Sequence, residues 1–147
     1  MKTNILLVNG PNLNMLGTRK PEIYGKTTLS EIEEDLCSYA EKKGCHLSAF
    51  QSNHEGAIID ALHSAYGKIH GIIINPGAYT HYSYAIRDAI EAVMIPTVEV
   101  HLSDIHSRED FRRVSVIEPA CICQVSGHGK DGYFMALDRL LEYLRSK

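Results

Sequence analysis

No apolar run in this sequence approaches the roughly 20 residues of a membrane-spanning helix, which excludes a helical span. It also lacks a basic excess: 15 Lys+Arg stand against 18 Asp+Glu, a net charge of -3, so the positive field that nucleic-acid binding needs is missing. Neither GxGxxG nor GxxxxGK[ST] occurs, and nucleotide cofactors lose their usual phosphate cradle. Lysines fall in loops, helix ends and termini rather than in apolar strands, where a desolvated imine-forming amine is expected. Lys20 and Lys26 do lie in a long first loop. Met1-Lys2-Thr3 enters a strand-like segment without a signal-peptide core, and the expectation is a cytoplasmic protein. The four cysteines, Cys37, Cys45, Cys121 and Cys123, read as reduced thiols packed in the core. Cys121-Ile122-Cys123 would set two thiols on one strand face. With no second pair, and only His128 and the His101/His106 spacing nearby, no metal is expected.

What is present is an ordinary globular composition over 147 residues, 44% hydrophobic and 22% charged, the size of one domain spanning 1–147. Apolar runs at Ile5–Val8, His46–Phe50, Gly71–Ile74, Ile95–Val100 and Val116–Val125 read as five strands. Between them lie helical patterns. One opens at a capping box, Thr28-Leu29-Ser30-Glu31, with Leu29, Ile32, Leu36 and Ala40 inward. A second opens at Ser52-Asn53-His54-Glu55, with Ile58, Ile59, Leu62, Ala65 and Tyr66 inward. A third carries Ile86, Ala89, Ile90 and Val93, and a last runs from Tyr133 to Leu144 with Phe134, Leu137, Leu140, Leu141 and Leu144 on its apolar face. Strands alternating with helices imply an α/β three-layer sandwich, most simply flavodoxin-like, with a five-stranded parallel sheet of order 2-1-3-4-5. Ligands in such sheets bind beyond the strand carboxyl ends. Here those ends are polar: Asn9 to Asn12, Gln51 to Asn53, Asn75 to His81 and His101 to Ser103. Residues 10–26, with three glycines, two prolines and no period, read as a structureless lid over that edge.

Arg19 precedes Tyr24 in that loop. A phenol titrates near ~10, and a neighbouring guanidinium lowers an acid by roughly 1–3 units, enough to populate phenolate. A tyrosine packed over the core beside a solvated arginine has the same spacing. On the fourth strand, period two puts Glu99 and His101 on one side, where a carboxylate orients an imidazole and favours its protonated form. A satisfied histidine at a strand end fits equally. The amides of Leu102 and Ser103 are placed to bind a carboxylate. Asn75-Pro76-Gly77 allows close approach to a ligand, and His81 and Asp88, seven apart, would share a helix face. An ordinary strand-to-helix turn with an exposed face is the alternative. Arg108, Arg112 and Arg113 lie in a charge-rich stretch that otherwise reads as a solvated helix.

Four blocks in order, GPNLNMLGTRKPEIYG (10–25), FQSNHEG (50–56), INPGAYTHYSYAIRDA (74–89) and VEVHLSDIHSREDFRRVS (98–115), span nearly the whole chain. In them the sequence resembles the type II 3-dehydroquinate dehydratases, the small dehydroquinases of the shikimate and quinate pathways. The resemblance implies the same flavodoxin-like fold and a cofactor- and metal-free dehydration of 3-dehydroquinate through an enolate. It implies Tyr24 as general base, Arg19 as the cation activating it and His101 as general acid. It further implies substrate binding by Asn75, His81, Asp88, Leu102, Ser103 and Arg112, with Asn12 holding a water near the enolate oxygen. Trimers assembled into a homododecamer are implied too, with Asp88 reaching a neighbouring site. Lys20, Tyr82 and Asp104 depart from the pattern, where Glu, a small residue or Thr, and Asn are usual.

Two other readings share this sheet order. A flavin carrier needs a Ser/Thr-rich phosphate loop after strand one, and a phosphoreceiver needs carboxylates there. The chain has Asn9-Gly10-Pro11-Asn12. A scaffold that had lost activity would be expected to have replaced Tyr24, Arg19 or His101, and all three are present.

Overall fold

The computed structural model describes residues 2–18 and 21–147, with Ile23 and Tyr24 described by their backbone alone. Five strands, β1 (Thr3–Asn9), β2 (Cys45–Gln51), β3 (Gly71–Asn75), β4 (Thr97–His101) and β5 (Cys123–Ser126), form one sheet of order β2-β1-β3-β4-β5. Every pairing is parallel, as the alternation of strands and helices requires. The helices are α1 (Pro21–Tyr24), α2 (Leu29–Lys42), α3 (Glu55–Ala65), α4 (Tyr84–Val93) and α5 (Asp131–Arg145).

Strand period two divides the apolar side chains between two layers. Ile5, Leu7, Ile73, Val98 and Val100 pack with the inner faces of α2 and α5. Val8, Ile72 and Ile74 pack with those of α3 and α4. Both faces of β3 are therefore buried, which is why Gly71-Ile72-Ile73-Ile74 reads as an unbroken apolar run. Among the described residues no helix is long and apolar enough to cross a membrane.

Helix α2 starts at the expected capping box: Thr28 Oγ1 accepts from the Glu31 amide and contacts the Glu31 carboxylate, both at 3.2 Å. Its four expected inward residues are buried. The second box does not form. Ser52 Oγ accepts instead from the His54 amide, and Glu55 receives the Ser83 hydroxyl at 2.5 Å. Glu55 thus ties α3 to the start of α4 rather than closing its own helix end. Tyr66, expected inward, ends α3 62% exposed, because the helix stops at Ala65 and turns its last residue outward.

Two further expectations are corrected. Val116–Val125 is not one strand: a 3-10 turn at Glu118–Ala120 interrupts it, and only Cys123–Ser126 pairs with β4. Pro119 removes a ladder donor there. Cys121 therefore lies outside the strand and packs against the α3/α4 layer, while Cys123 packs against the α2/α5 layer. All four cysteines are free thiols, and burial pushes Cys121 up. The 10–26 segment is not structureless either. Asn12, left-handed at φ 72, opens a 3-10 turn at Leu13–Met15, and Pro21 opens α1, where its fixed φ suits the first helical position.

Candidate active site

Asn9, Asn75 and His101 are the last residues of β1, β3 and β4, and the register sets Asn9 beside Asn75 and Ile74 beside Glu99. Polar groups from three adjacent strands therefore meet at one edge of the sheet. A core strand bringing Val98 and Val100 to one face must bring Glu99 and His101 to the other.

Glu99 is fully buried and His101 is 5% exposed. His101 Nε2 lies 2.5 Å from Glu99 Oε2. An ionised carboxylate only accepts, so Nε2 carries the hydrogen and donates it, which leaves Nδ1 as the nitrogen able to exchange a proton with a ligand. Burial alone would raise the Glu99 carboxyl. The hydrogen bond and charge of His101, with the hydroxyls of Thr80 and Ser115, outweigh burial and hold it below the ordinary carboxylate range.

Asn75 is buried with both ends of its amide engaged. Oδ1 accepts from the Gly77 amide at 3.1 Å, and Nδ2 donates to the Tyr133 hydroxyl at 3.1 Å. That hydroxyl donates onward to Asn9 Oδ1 at 2.6 Å. Tyr133 is itself fully buried, and burial pushes its phenol up, so it stays neutral and bridges the ends of β1 and β3. Asn9 Nδ2 is buried without a partner among the described residues. Replacing Tyr133 with Phe strands an acceptor and a donor in the core, and the expected loss is about 1–3 kcal/mol in denaturant unfolding. An unchanged midpoint would mean that the bridge contributes nothing.

His81 ends the 3-10 turn Gly77–His81, and its Nδ1 donates to the Val114 carbonyl at 2.7 Å. That bond leaves Nε2 as an acceptor when the ring is neutral. Asp88 is exposed on α4. The two do not share a helix face, because the turn ends at His81 and α4 begins at Tyr84 with Ser83 as its cap. Arg112 lies in a 3-10 turn, Asp110–Arg113, rather than in a full helix. Its Nε donates to Glu109 at 2.5 Å and its guanidinium sits 4.8 Å from the Phe111 ring centre. Leu102 and Ser103 follow His101 directly, and Asp104 Oδ1 caps the next turn by accepting from the His106 amide at 3.0 Å. The extra carboxylate of Asp104 is thus engaged in a cap. Asn12 donates its amide to Asn53 Oδ1 at 3.0 Å, joining the first loop to the end of β2. Tyr82 is 60% exposed and stacks edge-on with Tyr79. Arg19 and the side chain of Tyr24, expected as activating cation and base, lie outside the described residues, as does Lys20.

Three polar residues of the site were not expected from the sequence: buried Thr80 and Tyr133, and half-buried Ser115. Thr80 stands beside His81 and Ser115 closes the arginine stretch, so their position was visible although their partner was not. Tyr133 begins an apolar stripe whose phase points it inward with Leu137 and Leu140. Among the described residues, no three His, Cys, Asp or Glu side chains group closely enough to hold a metal ion.

Residues 3–141 match the family model for dehydroquinase class II. A 3-dehydroquinate dehydratase of Bacillus mycoides (strain KBAB4) is 58% identical over 141 residues, covering 96% of this chain and 97% of that one. One of Carboxydothermus hydrogenoformans (strain ATCC BAA-161 / DSM 6008 / Z-2901) is 54% identical over 143 residues, covering 97% and 93%. The crystal structure of the type II dehydroquinase from Butyrivibrio crossotus DSM 2876 superposes with a TM-score of 0.91 at 49% identity, covering 95% of this chain and 98% of that one.

Proposed function

The chain belongs to the class II dehydroquinase family, and from that premise we propose that it is a 3-dehydroquinate dehydratase that eliminates water to give 3-dehydroshikimate. The observation that carries this reading is the buried Glu99 carboxylate on Nε2 of His101 at the open edge of the sheet. Dehydration of a β-hydroxy ketone needs a base at the carbon α to the carbonyl and an acid at the departing hydroxyl. In this reading Tyr24, as phenolate beside Arg19, removes the α proton and an enolate forms. His101 delivers a proton from Nδ1 to the departing C1 hydroxyl, which leaves as water. Neither metal, organic cofactor nor imine enters the sequence.

Asn75, His81, Leu102, Ser103 and Arg112 hold the substrate, with the Leu102 and Ser103 amides on its carboxylate, and Asn12 holds a water near the enolate oxygen. To do so Arg112 exchanges Glu109 for the ligand, an inexpensive exchange because exposed ion pairs are worth roughly 0–1 kcal/mol. Residues 10–26 act as the lid that brings Arg19 and Tyr24 over bound substrate. The same reading has the chain assemble as a homododecamer, four trimers, in which exposed Asp88 serves a neighbouring site. Exposed Tyr82, Tyr84, Phe111 and Val114 favour burial against other copies. Native mass spectrometry would show twelve copies.

The direct test is turnover of 3-dehydroquinate, followed by the ultraviolet absorbance of the enone product, in wild-type protein and in Tyr24→Phe. The variant is expected to lose at least about 10²-fold in kcat, the usual contribution of a general base, while still binding substrate. Near-normal turnover by the variant would remove Tyr24 from the mechanism.

A further inference from the structure

The Glu99 carboxylate receives more than His101. Thr80 Oγ1 donates to Oε2 at 2.5 Å, and Ser115 Oγ lies 2.9 Å from each carboxylate oxygen. The serine has little freedom to point elsewhere. Its oxygen already accepts the amides of Ile117 at 3.2 Å and Glu118 at 3.0 Å, so both lone pairs are occupied and its one hydrogen must go outward to the carboxylate or to Thr80. The Thr80 backbone is held too, its carbonyl accepting the Val116 amide at 2.8 Å. Both hydroxyls are thus delivered by fixed backbone to a carboxylate with no exposed surface.

We propose, on the basis of the dehydratase reading above, that Thr80 and Ser115 are positioning residues of the reaction: their hydroxyls clamp the Glu99 carboxylate against Nε2 of His101 so that Nδ1 stays aimed at the ligand. Without them the carboxylate can rotate about its side-chain torsions, and the imidazole loses the partner that sets its ring plane and tautomer. The clamp also joins three substrate-facing segments through one anion. Thr80 precedes His81, Ser115 follows the Arg112 turn by two residues, and His101 closes β4. Among charged or titratable groups, His101 faces Glu99 from its own strand. From the turn before β5, Cys121 lies near enough for the Glu99 charge to act on its thiol, which stays neutral. The α3/α4 layer beneath contributes apolar side chains.

The test compares Thr80→Val and Ser115→Ala with Thr80→Ser and Ser115→Thr, which keep a hydroxyl. Hydrogen bonds to a charged group carry enough free energy for about a tenfold change in an equilibrium or rate. Each deletion is therefore expected to lower kcat about tenfold with KM moved far less, and Thr80→Ser to recover most of the loss. A readout independent of turnover is the pH titration of the Glu99 side-chain carboxyl by carbon-13 NMR. Its midpoint is expected to rise by about one unit per hydroxyl removed. Deletions that leave both kcat and the titration midpoint within twofold and about 0.2 unit of wild type would overturn the proposal. So would equal losses in the hydroxyl-keeping variants, which would mark a packing role. Wild-type protein that turned over no 3-dehydroquinate would sink the functional reading, while the titration would still decide whether the two hydroxyls govern Glu99.

Discussion

His101→Ala is expected to lower kcat for 3-dehydroquinate by about 10²–10⁴-fold, the range that one general acid supplies. The loss should fall on kcat more than on KM, because the proton is needed by the departing hydroxyl and not by the ground state. Folding should survive, since Glu99 keeps the two hydroxyl donors of Thr80 and Ser115. Its response to acid should change. In the wild-type protein Glu99 is held below the ordinary value of 4.5, so the stability it contributes is complete above that value and is lost as pH falls through the lower folded one. His101 supplies the largest effects opposing burial. Without it the folded carboxyl rises, and acid-induced unfolding should begin at higher pH. A variant with wild-type kcat would take His101 out of the proton path.

The largest expected structural effect is at Gly10. Its amide donates to the Asn75 carbonyl at 2.7 Å, and its own carbonyl accepts from Gln51 Nε2 at 3.1 Å. These bonds press the first loop onto the end of β3. A Cβ there would meet the Pro76 carbonyl oxygen at 2.6 Å, its carbon at 2.7 Å and the Asn75 oxygen at 3.2 Å. All three are backbone atoms, which cannot rotate away as a flexible side chain could. Gly10→Ala is therefore expected to cost about 2–4 kcal/mol in stability and to separate Asn12 from the Asn75 edge, with a large fall in turnover. The control is Gly56→Ala. Gly56 is exposed within α3 and a Cβ there meets nothing within 4 Å, so the change should stabilise by about 0.5–1 kcal/mol. Equal denaturation midpoints for the two variants would contradict the close approach at Gly10.

The inward faces of α2, α4 and α5 were legible because period alone determines them, and the sheet order because strands alternating with helices fit most simply the 2-1-3-4-5 arrangement. A run such as Gly71–Ile74 fits a strand covered on both faces, as in the interior of a parallel sheet. The pairing of Glu99 with His101 was legible for the same reason, since two residues on a strand with one residue between them must share a face. What failed to show was anything decided by contacts between distant segments. Ser52-Asn53-His54-Glu55 has the letters of a capping box, yet Ser83, far along the chain, takes the Glu55 carboxylate. His81 and Asp88 have helical spacing, yet the Ser83 cap divides the segment into two turns. Cys121 and Cys123 have strand spacing, yet Pro119 delays the strand until Cys123. The hydroxyls on Glu99 and the phenol joining Asn9 to Asn75 arise from long-range packing, and no local pattern announces them. Tyr24 and Arg19 belong to the proposal alone, since a tyrosine five residues after an arginine has many uses and both side chains lie outside the described residues.

The central claim is that this chain dehydrates 3-dehydroquinate through an enolate and without a lysine imine. It is tested most directly by treating the wild-type protein with borohydride in the presence of substrate, removing the reagents, and recording enone absorbance on fresh 3-dehydroquinate. Turnover undiminished from the untreated control is the predicted result, because no imine forms for the hydride to trap. Inactivation with a reduced adduct on a lysine, Lys20 or Lys26 first among them, would contradict the account.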